Sequence, residues 1–162
     1  MLRPSALEKR IILEVDLPAE LPIIFANPRH FSLLWNNLLG NAVKYTPPDG
    51  RVKVAASSDG EDLRVDVVDT GIGIARQDQD RIFQEFYRGE NARQFAPHGT
   101  GIGLAIVHRV VAMYGGSISL ESVVGEGSTF HVRLPLDSLA ASVPQPPSGA
   151  PDPRPELPQT LV

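Results

Sequence analysis

Apolar and polar positions alternate from Ile11 to Leu17, which predicts a strand. The period then changes. Phe31, Leu34, Leu38, Leu39 and Ala42 recur at helical spacing, after Asn27 as a cap and Pro28 as a first helical residue. Thr46-Pro47-Pro48 must end that helix near Tyr45, because proline has no N–H to continue it. Val52 and Val54 open a second strand, Asp59-Gly60 is a hairpin signal, and Leu63, Val65 and Val67 alternate on the returning strand. Gln77 to Tyr87 has a short helical period, and Arg88 to Gly99 has none, which predicts a loop. Gly103 to Tyr114 predicts a second long helix, closed by Gly115-Gly116. Ile118 and Leu120, then Phe130, Val132 and Leu134, predict two final strands around a Gly125-Glu126-Gly127 turn.

This pattern fills residues 1–137 as one domain. From Ser138 the composition shifts: Pro144, Pro146, Pro147, Pro151, Pro153, Pro155 and Pro158 stand among few apolar residues. Such a stretch cannot bury enough surface to offset ordering, so residues 138–162 are expected to be a disordered tail. A chain of 162 residues has room for one domain with a real core. Its net charge of −4 argues against a nucleic-acid partner, which calls for a basic surface. The absence of cysteine excludes disulfides and thiolate metal sites. No apolar run approaches membrane-spanning length and no signal-peptide pattern opens the chain, so no direct membrane contact is expected of this domain.

Three stretches carry candidate chemistry. Asn37, Asn41 and Lys44 stand at i, i+4 and i+7 and form one polar stripe beside Leu34, Leu38 and Ala42. A solvated face usually carries Glu and Lys. Amides suit a face that must hydrogen-bond while staying neutral, and their oxygens can ligate a hard cation such as Mg²⁺, with the lysine beside them to hold phosphate. The second stretch runs the alternating strand into Asp69 and then Thr70-Gly71-Ile72-Gly73. A carboxylate at a strand end can accept a hydrogen bond from an exocyclic amino group, and the glycines let a flat base approach the backbone. The third, His98-Gly99-Thr100-Gly101-Ile102-Gly103-Leu104, feeds a glycine loop into the N-terminus of an apolar helix, where free N–H groups favour phosphate. It is neither the dinucleotide fingerprint, since no apolar strand precedes it, nor a P-loop, since no Gly-Lys-Ser/Thr ending occurs.

In this order the features resemble the catalytic ATP-binding domain of bacterial sensor histidine kinases, within the GHKL superfamily, over roughly Glu8 to Leu136. The N box is similar to Asn37 through Tyr45, the G1 box to Asp69 through Gly73, the F box to Ile82 through Arg88, and the G2 box to Gly99 through Leu104. The resemblance implies a two-layer α/β sandwich, a mixed and mostly antiparallel sheet with helices on one face. It also implies roles. Asn37 and Asn41 would face Mg²⁺ and the phosphates, with Thr100 close to the metal. Lys44 and Arg88 would contact phosphate, Tyr45 would lie near adenine, and Asp69 would read its amino group. Gly71, Gly73, Ile74, Phe83, His98, Gly99, Gly101, Ile102, Gly103 and Leu104 complete the implied nucleotide site. Asn37, Lys44 and Arg88 are the implied catalytic set.

Hydrolysing members of the superfamily place a glutamate general base four residues before the metal asparagine. Here that position is Asn37, which cannot take a proton, so the chain resembles a member that holds ATP for another nucleophile. In the family this is a histidine on a dimeric helical phosphoacceptor domain, which passes the phosphoryl group to a response regulator receiver domain. None of His30, His98, His108 and His131 stands in a phosphoacceptor context, so the chain is read as a fragment of a larger kinase or as a stand-alone module. The resemblance implies a cytoplasmic domain whose parent can be anchored in the inner membrane. An anti-sigma-type serine kinase and a non-catalytic ATP-sensing module remain open beside the histidine kinase.

Overall fold

The computed structural model describes residues 2–140. In chain order the elements are α1 (Leu2–Glu8), β1 (Ile12–Asp16), α2 (Pro28–Tyr45), β2 (Arg51–Ser58), β3 (Asp62–Asp69), α3 (Arg76–Gln79), α4 (Glu90–Phe95), α5 (Gly103–Met113), β4 (Ser117–Val123), β5 (Gly127–Pro135) and α6 (Leu136–Ala140). The strands form one sheet in the order β1-β2-β3-β5-β4, parallel only between β1 and β2. The expected mixed, mostly antiparallel sheet is therefore present.

Register sorts the side chains into two faces. Val52, Val65, Val67, Phe130, Val132 and Leu134 are buried and point to one side, where α2 and α5 cover them. The other face is a ladder of polar and charged pairs: Lys53 Nζ lies 2.8 Å from Asp16, His131 Nδ1 lies 2.8 Å from Asp66, and Arg133 Nε lies 2.6 Å from Asp62. Helices and sheet thus make two layers around one core.

α2 is the central helix. Asn27 Oδ1 accepts the Arg29 N–H at 2.9 Å, and Pro28 occupies the first turn, where its missing N–H costs nothing. Its asparagines and Gly40 are weak helix formers. Packing offsets this: Leu34, Leu38, Ala42 and Val43 are buried against the sheet and against Val107, Val110 and Val111 of α5, each fully buried leucine contributing roughly 1.5–3 kcal/mol. Tyr114 closes the far end, its hydroxyl accepting the Asn27 N–H at 3.1 Å and its ring edge-on to Phe31 at 5.5 Å.

Four elements differ from the sequence pattern. α1 precedes β1, with Pro4 tolerated in its first turn and Ala6 anchored in the core. The helical period from Gln77 to Tyr87 yields only the four residues of α3, followed by turns. The expected loop from Arg88 to Gly99 contains α4, a short helix with no buried residue. The domain also continues past residue 137, since α6 runs through Ser138 and Leu139 is buried. The rest of the expected tail lies outside the described residues.

Candidate nucleotide site

The row of inward side chains on β3 runs Leu63, Val65, Val67 and then Asp69, so the hydrophobic stripe ends in a carboxylate. Asp69 is buried, accepts the Gly71 N–H at 2.8 Å, and is paired in the sheet with Ser128. Burial pushes its carboxyl up to about 6, against the opposing pull of backbone N–H bonds from Gly71 and Ser128. Beyond it the chain turns at Gly73, whose φ of 66° is a left-handed conformation; a Cβ there would collide with the Val123 carbonyl. This turn is tied to α2 by the Ile72 N–H, which donates to the Tyr45 carbonyl at 3.1 Å.

Between this turn, α2 and α5 lies a cavity of about 250 Å³. Of the residues expected at the site, Asn37, Asn41, Lys44, Tyr45, Asp69, Gly73, Ile74, Arg88, Gly99, Thr100, Gly101, Gly103 and Leu104 line it. Gly71 stands behind Asp69 and donates to it. Phe83 packs against the core with its ring 5.7 Å from His108, and Ile102 precedes α5. The His98 side chain is exposed and does not line the cavity; its backbone carbonyl accepts from Lys44.

The two ends of the cavity differ in chemistry. At the end away from Asp69, Lys44 Nζ donates to the His98 carbonyl at 2.5 Å. Arg88 donates to the carbonyls of Pro97 at 2.9 Å, Ala92 at 3.1 Å, Gly99 at 3.4 Å and also Ala96. Its Nε is buried and without a partner among the described residues. Two cations therefore hold the 88–101 segment down by its own carbonyl groups. The segment returns through Gly101, at φ 71°, whose carbonyl accepts the Phe86 N–H at 3.0 Å. It then enters α5, and no side chain caps the N-terminus of that helix, which leaves backbone N–H groups facing the cavity.

The amides on α2 behave differently from each other. Asn37 Nδ2 donates back to the Leu33 carbonyl at 2.7 Å, while Asn41 has no hydrogen-bond partner among the described residues and faces the cavity. Among the described residues no cluster of three or more His, Asp or Glu side chains could hold a metal by itself. One or two amide oxygens fit a Mg²⁺ ion that brings most of its ligands with it as water and phosphate oxygens.

Several participants escaped the sequence pattern. Asn91 on α4 lines the cavity and donates to the Gly73 carbonyl at 2.8 Å, tying the segment's short helix to the turn after Asp69. The Tyr87 hydroxyl donates to buried Asp78 at 2.6 Å, while Arg81 lies over the Tyr87 ring at 4.2 Å. Ser128 and Phe130 line the cavity from β5. Only the tertiary fold brings these together, since Asn91 and Gly73 are joined across a turn, a short helix and a second turn.

A buried carboxylate facing two cations and an uncapped helix end defines a two-layer α/β domain built to cradle an adenine nucleotide. The chain belongs to the family of histidine kinase-, DNA gyrase B-, and HSP90-like ATPases, which it matches over residues 26–138. It is 37% identical over 141 residues to the circadian input-output histidine kinase CikA of Synechococcus elongatus, covering 87% of this chain and 19% of that protein. It is 46% identical over 99 residues to the sensor-like histidine kinase SenX3 of Mycolicibacterium smegmatis, covering 61% of this chain and 26% of that one. The chain thus spans a minor part of these relatives. Among solved structures, the mycobacterial sensor histidine kinase MprB superposes with a TM-score of 0.69 at 30% identity, covering 83% of this chain and 92% of that one. Full-length ShkA in complex with AMPPNP gives 0.69 at 36% identity, covering 81% and 27%. Among the described residues no helix is long and apolar enough to cross a membrane.

Proposed function

We propose that this domain binds ATP with Mg²⁺ and transfers the γ-phosphoryl group to a histidine on a separate, dimeric helical phosphoacceptor domain, from which it passes to a response regulator receiver domain. One observation carries the reading: Asp69 is the only carboxylate among the residues lining the cavity. It lies at the end suited to a base. The position that would hold a water-activating glutamate is Asn37, whose amide is bonded to its own helix. The cavity can therefore orient a triphosphate without supplying a general base for hydrolysis.

In this reading the Asp69 carboxylate accepts from the adenine amino group, with Tyr45 and Ile74 beside the base. Lys44 and Arg88 exchange neutral carbonyl partners for phosphate oxygens, which are stronger acceptors because they are charged. The uncapped start of α5, from Gly99 to Leu104, adds N–H groups to the same anion. Asn41, with Asn37 and Thr100 near it, would hold Mg²⁺, which screens triphosphate charge. The same reading gives the domain a cytoplasmic place within a larger kinase whose parent can be anchored in the inner membrane.

The test is γ-labelled ATP given to the domain alone, to a purified dimeric phosphoacceptor domain of a relative alone, and to the mixture. Acid-labile label is expected on the acceptor in the mixture and on neither piece alone. Stable label on this chain would expose a resident nucleophile, and rapid phosphate release without acceptor would make it an ATPase.

A further inference from the structure

The end of α2 has a structural deficit that its sequence imposes. In a continuing helix the carbonyls of Val43 and Lys44 would accept from the N–H groups of residues 47 and 48. Both are prolines and have none to give. The missing donors come from far away. Lys9 Nζ donates to the carbonyls of Val43 at 3.0 Å, Lys44 at 2.7 Å and Thr46 at 3.0 Å, using all three of its protons. A cation at this place also meets the negative end of the helix dipole.

Lys9 is itself fixed on both sides. Ala6 and Ile11 flank it in the core, its carbonyl accepts the Asp49 N–H at 2.9 Å, and Arg10 pairs with Asp49 at 2.6 and 2.7 Å. Its ammonium also lies 5.6 Å from the ring centroid of Phe95, on α4, in the segment that Arg88 and Lys44 hold over the cavity. One side chain therefore touches the turn that carries Lys44 and Tyr45 and the short helix above the phosphate end. Lys9 does not line the cavity. Desolvation lowers its pKa, opposed by the Glu8 charge and joined by a smaller effect of the Lys44 charge.

We propose that Lys9 is a positioning residue for nucleotide binding: it completes the proline-ended last turn of α2, so that Lys44 meets the phosphates, and it steadies the overlying segment through Phe95. This rests on the reading of the cavity as an ATP site.

Lys9→Met keeps the length of the side chain and removes the charge and the donors. ATP affinity, by calorimetry with Mg²⁺ present, is expected to fall about tenfold, while adenosine affinity, by NMR titration, changes less than about twofold, because only ATP reaches Lys44 and the overlying segment. Lys9→Arg should recover most of the loss. Amide exchange at residues 90–96 in the ATP-bound protein should be faster in Lys9→Met than in the parent. A purely structural role would lower the melting temperature and leave the ATP-to-adenosine ratio unmoved; that outcome, or ATP binding within about twofold of the parent, overturns the proposal. If the parent itself binds no ATP, the reading of the cavity fails and this inference falls with it, a result distinct from a binding parent with an indifferent Lys9→Met. If Lys9→Met does not melt cooperatively, Phe95→Ala decides. It is expected to weaken ATP about threefold with unchanged melting, and unchanged affinity together with unchanged exchange at residues 90–96 overturns the proposal.

Discussion

The two ends of the cavity are built on opposite plans. The Asp69 end, proposed for the base, is finished: Asp69 sits on a central strand, is held by the Gly71 N–H, and is braced by Ile72 on Tyr45 and by Asn91 on Gly73. The other end, proposed for the phosphates, is provisional. Its cations, Lys44 and Arg88, are engaged with carbonyls of the very segment that must admit the ligand. A cavity of about 250 Å³ lies below the range usual for a drug-sized ligand, so in the proposed reading ATP would displace that segment. In the proposed reading, selectivity resides in the strand end at Asp69 and response in residues 88–101, and Asn91 on that segment couples the two through the Gly73 carbonyl.

The comparison breaks most sharply at Asp69. Asp69→Ala should weaken ATP by roughly 10- to 150-fold, from loss of a charge-assisted hydrogen bond of about 1.5–3 kcal/mol. GTP, which lacks the amino group at that position, should already bind poorly to the parent. Equal affinity for ATP and GTP by calorimetry would remove the base end from its assigned role.

The next effect is in pH. The acceptor form of Asp69 is the carboxylate, with a pKa pushed up to about 6, so a proton competes with adenine. ATP affinity should fall by up to about tenfold per pH unit below that value, and Asp69→Asn should flatten the profile. Stability without nucleotide should move the other way. The folded pKa is raised above the unfolded 3.8, so between 3.8 and about 6 the folded state binds more protons. The Asp69 contribution is fully present below 3.8 and is lost as pH rises through about 6. Denaturant titrations at pH 5 and pH 7.5 should show this loss in the parent and not in Asp69→Asn.

At the phosphate end two effects oppose. Arg88→Ala removes a phosphate contact but also frees the segment, so the net loss of ATP affinity should be about threefold to tenfold, smaller than at Asp69. Adenosine affinity should not change. Amide exchange over residues 89–99 without nucleotide should accelerate; protection equal to that of the parent would mean that Arg88 does not hold the segment down. The smallest effect is expected at Asn91→Ala, which breaks one neutral hydrogen bond between the two ends, worth about 1 kcal/mol, and should weaken ATP about twofold to sixfold.

Legibility in the sequence followed the same division. α2 was readable to the residue because Asn27-Pro28 and Thr46-Pro47-Pro48 punctuate it locally. β3 and Asp69 were readable because alternation carries the eye to the strand end. α4 was not, since its six residues bury nothing and leave no periodic trace. α3 was overread because a helical period in Gln77 to Tyr87 is broken by turns that satisfy themselves through Tyr87 and Asp78. α6 was hidden because Leu139 is a single buried residue at the edge of a proline-rich stretch. The engagement of Lys44 and Arg88 with carbonyls is a fact of tertiary structure, invisible to any local pattern.

The two prolines after α2 also bear on how the domain folds. Most helix ends are completed by capping residues close in the chain or by water. The last turn of this one waits for a lysine 34 to 37 residues upstream and a backbone N–H on the turn after β3. Loops of that size close slowly relative to local hydrogen bonds, and their entropy must be met before the contact returns anything. The half of α2 that packs on α5 can therefore form early in the folding reaction. The last turn, which carries Lys44 and Tyr45, is expected to be completed later, and its amides should exchange faster than those of Leu34 and Leu38 in mild denaturant.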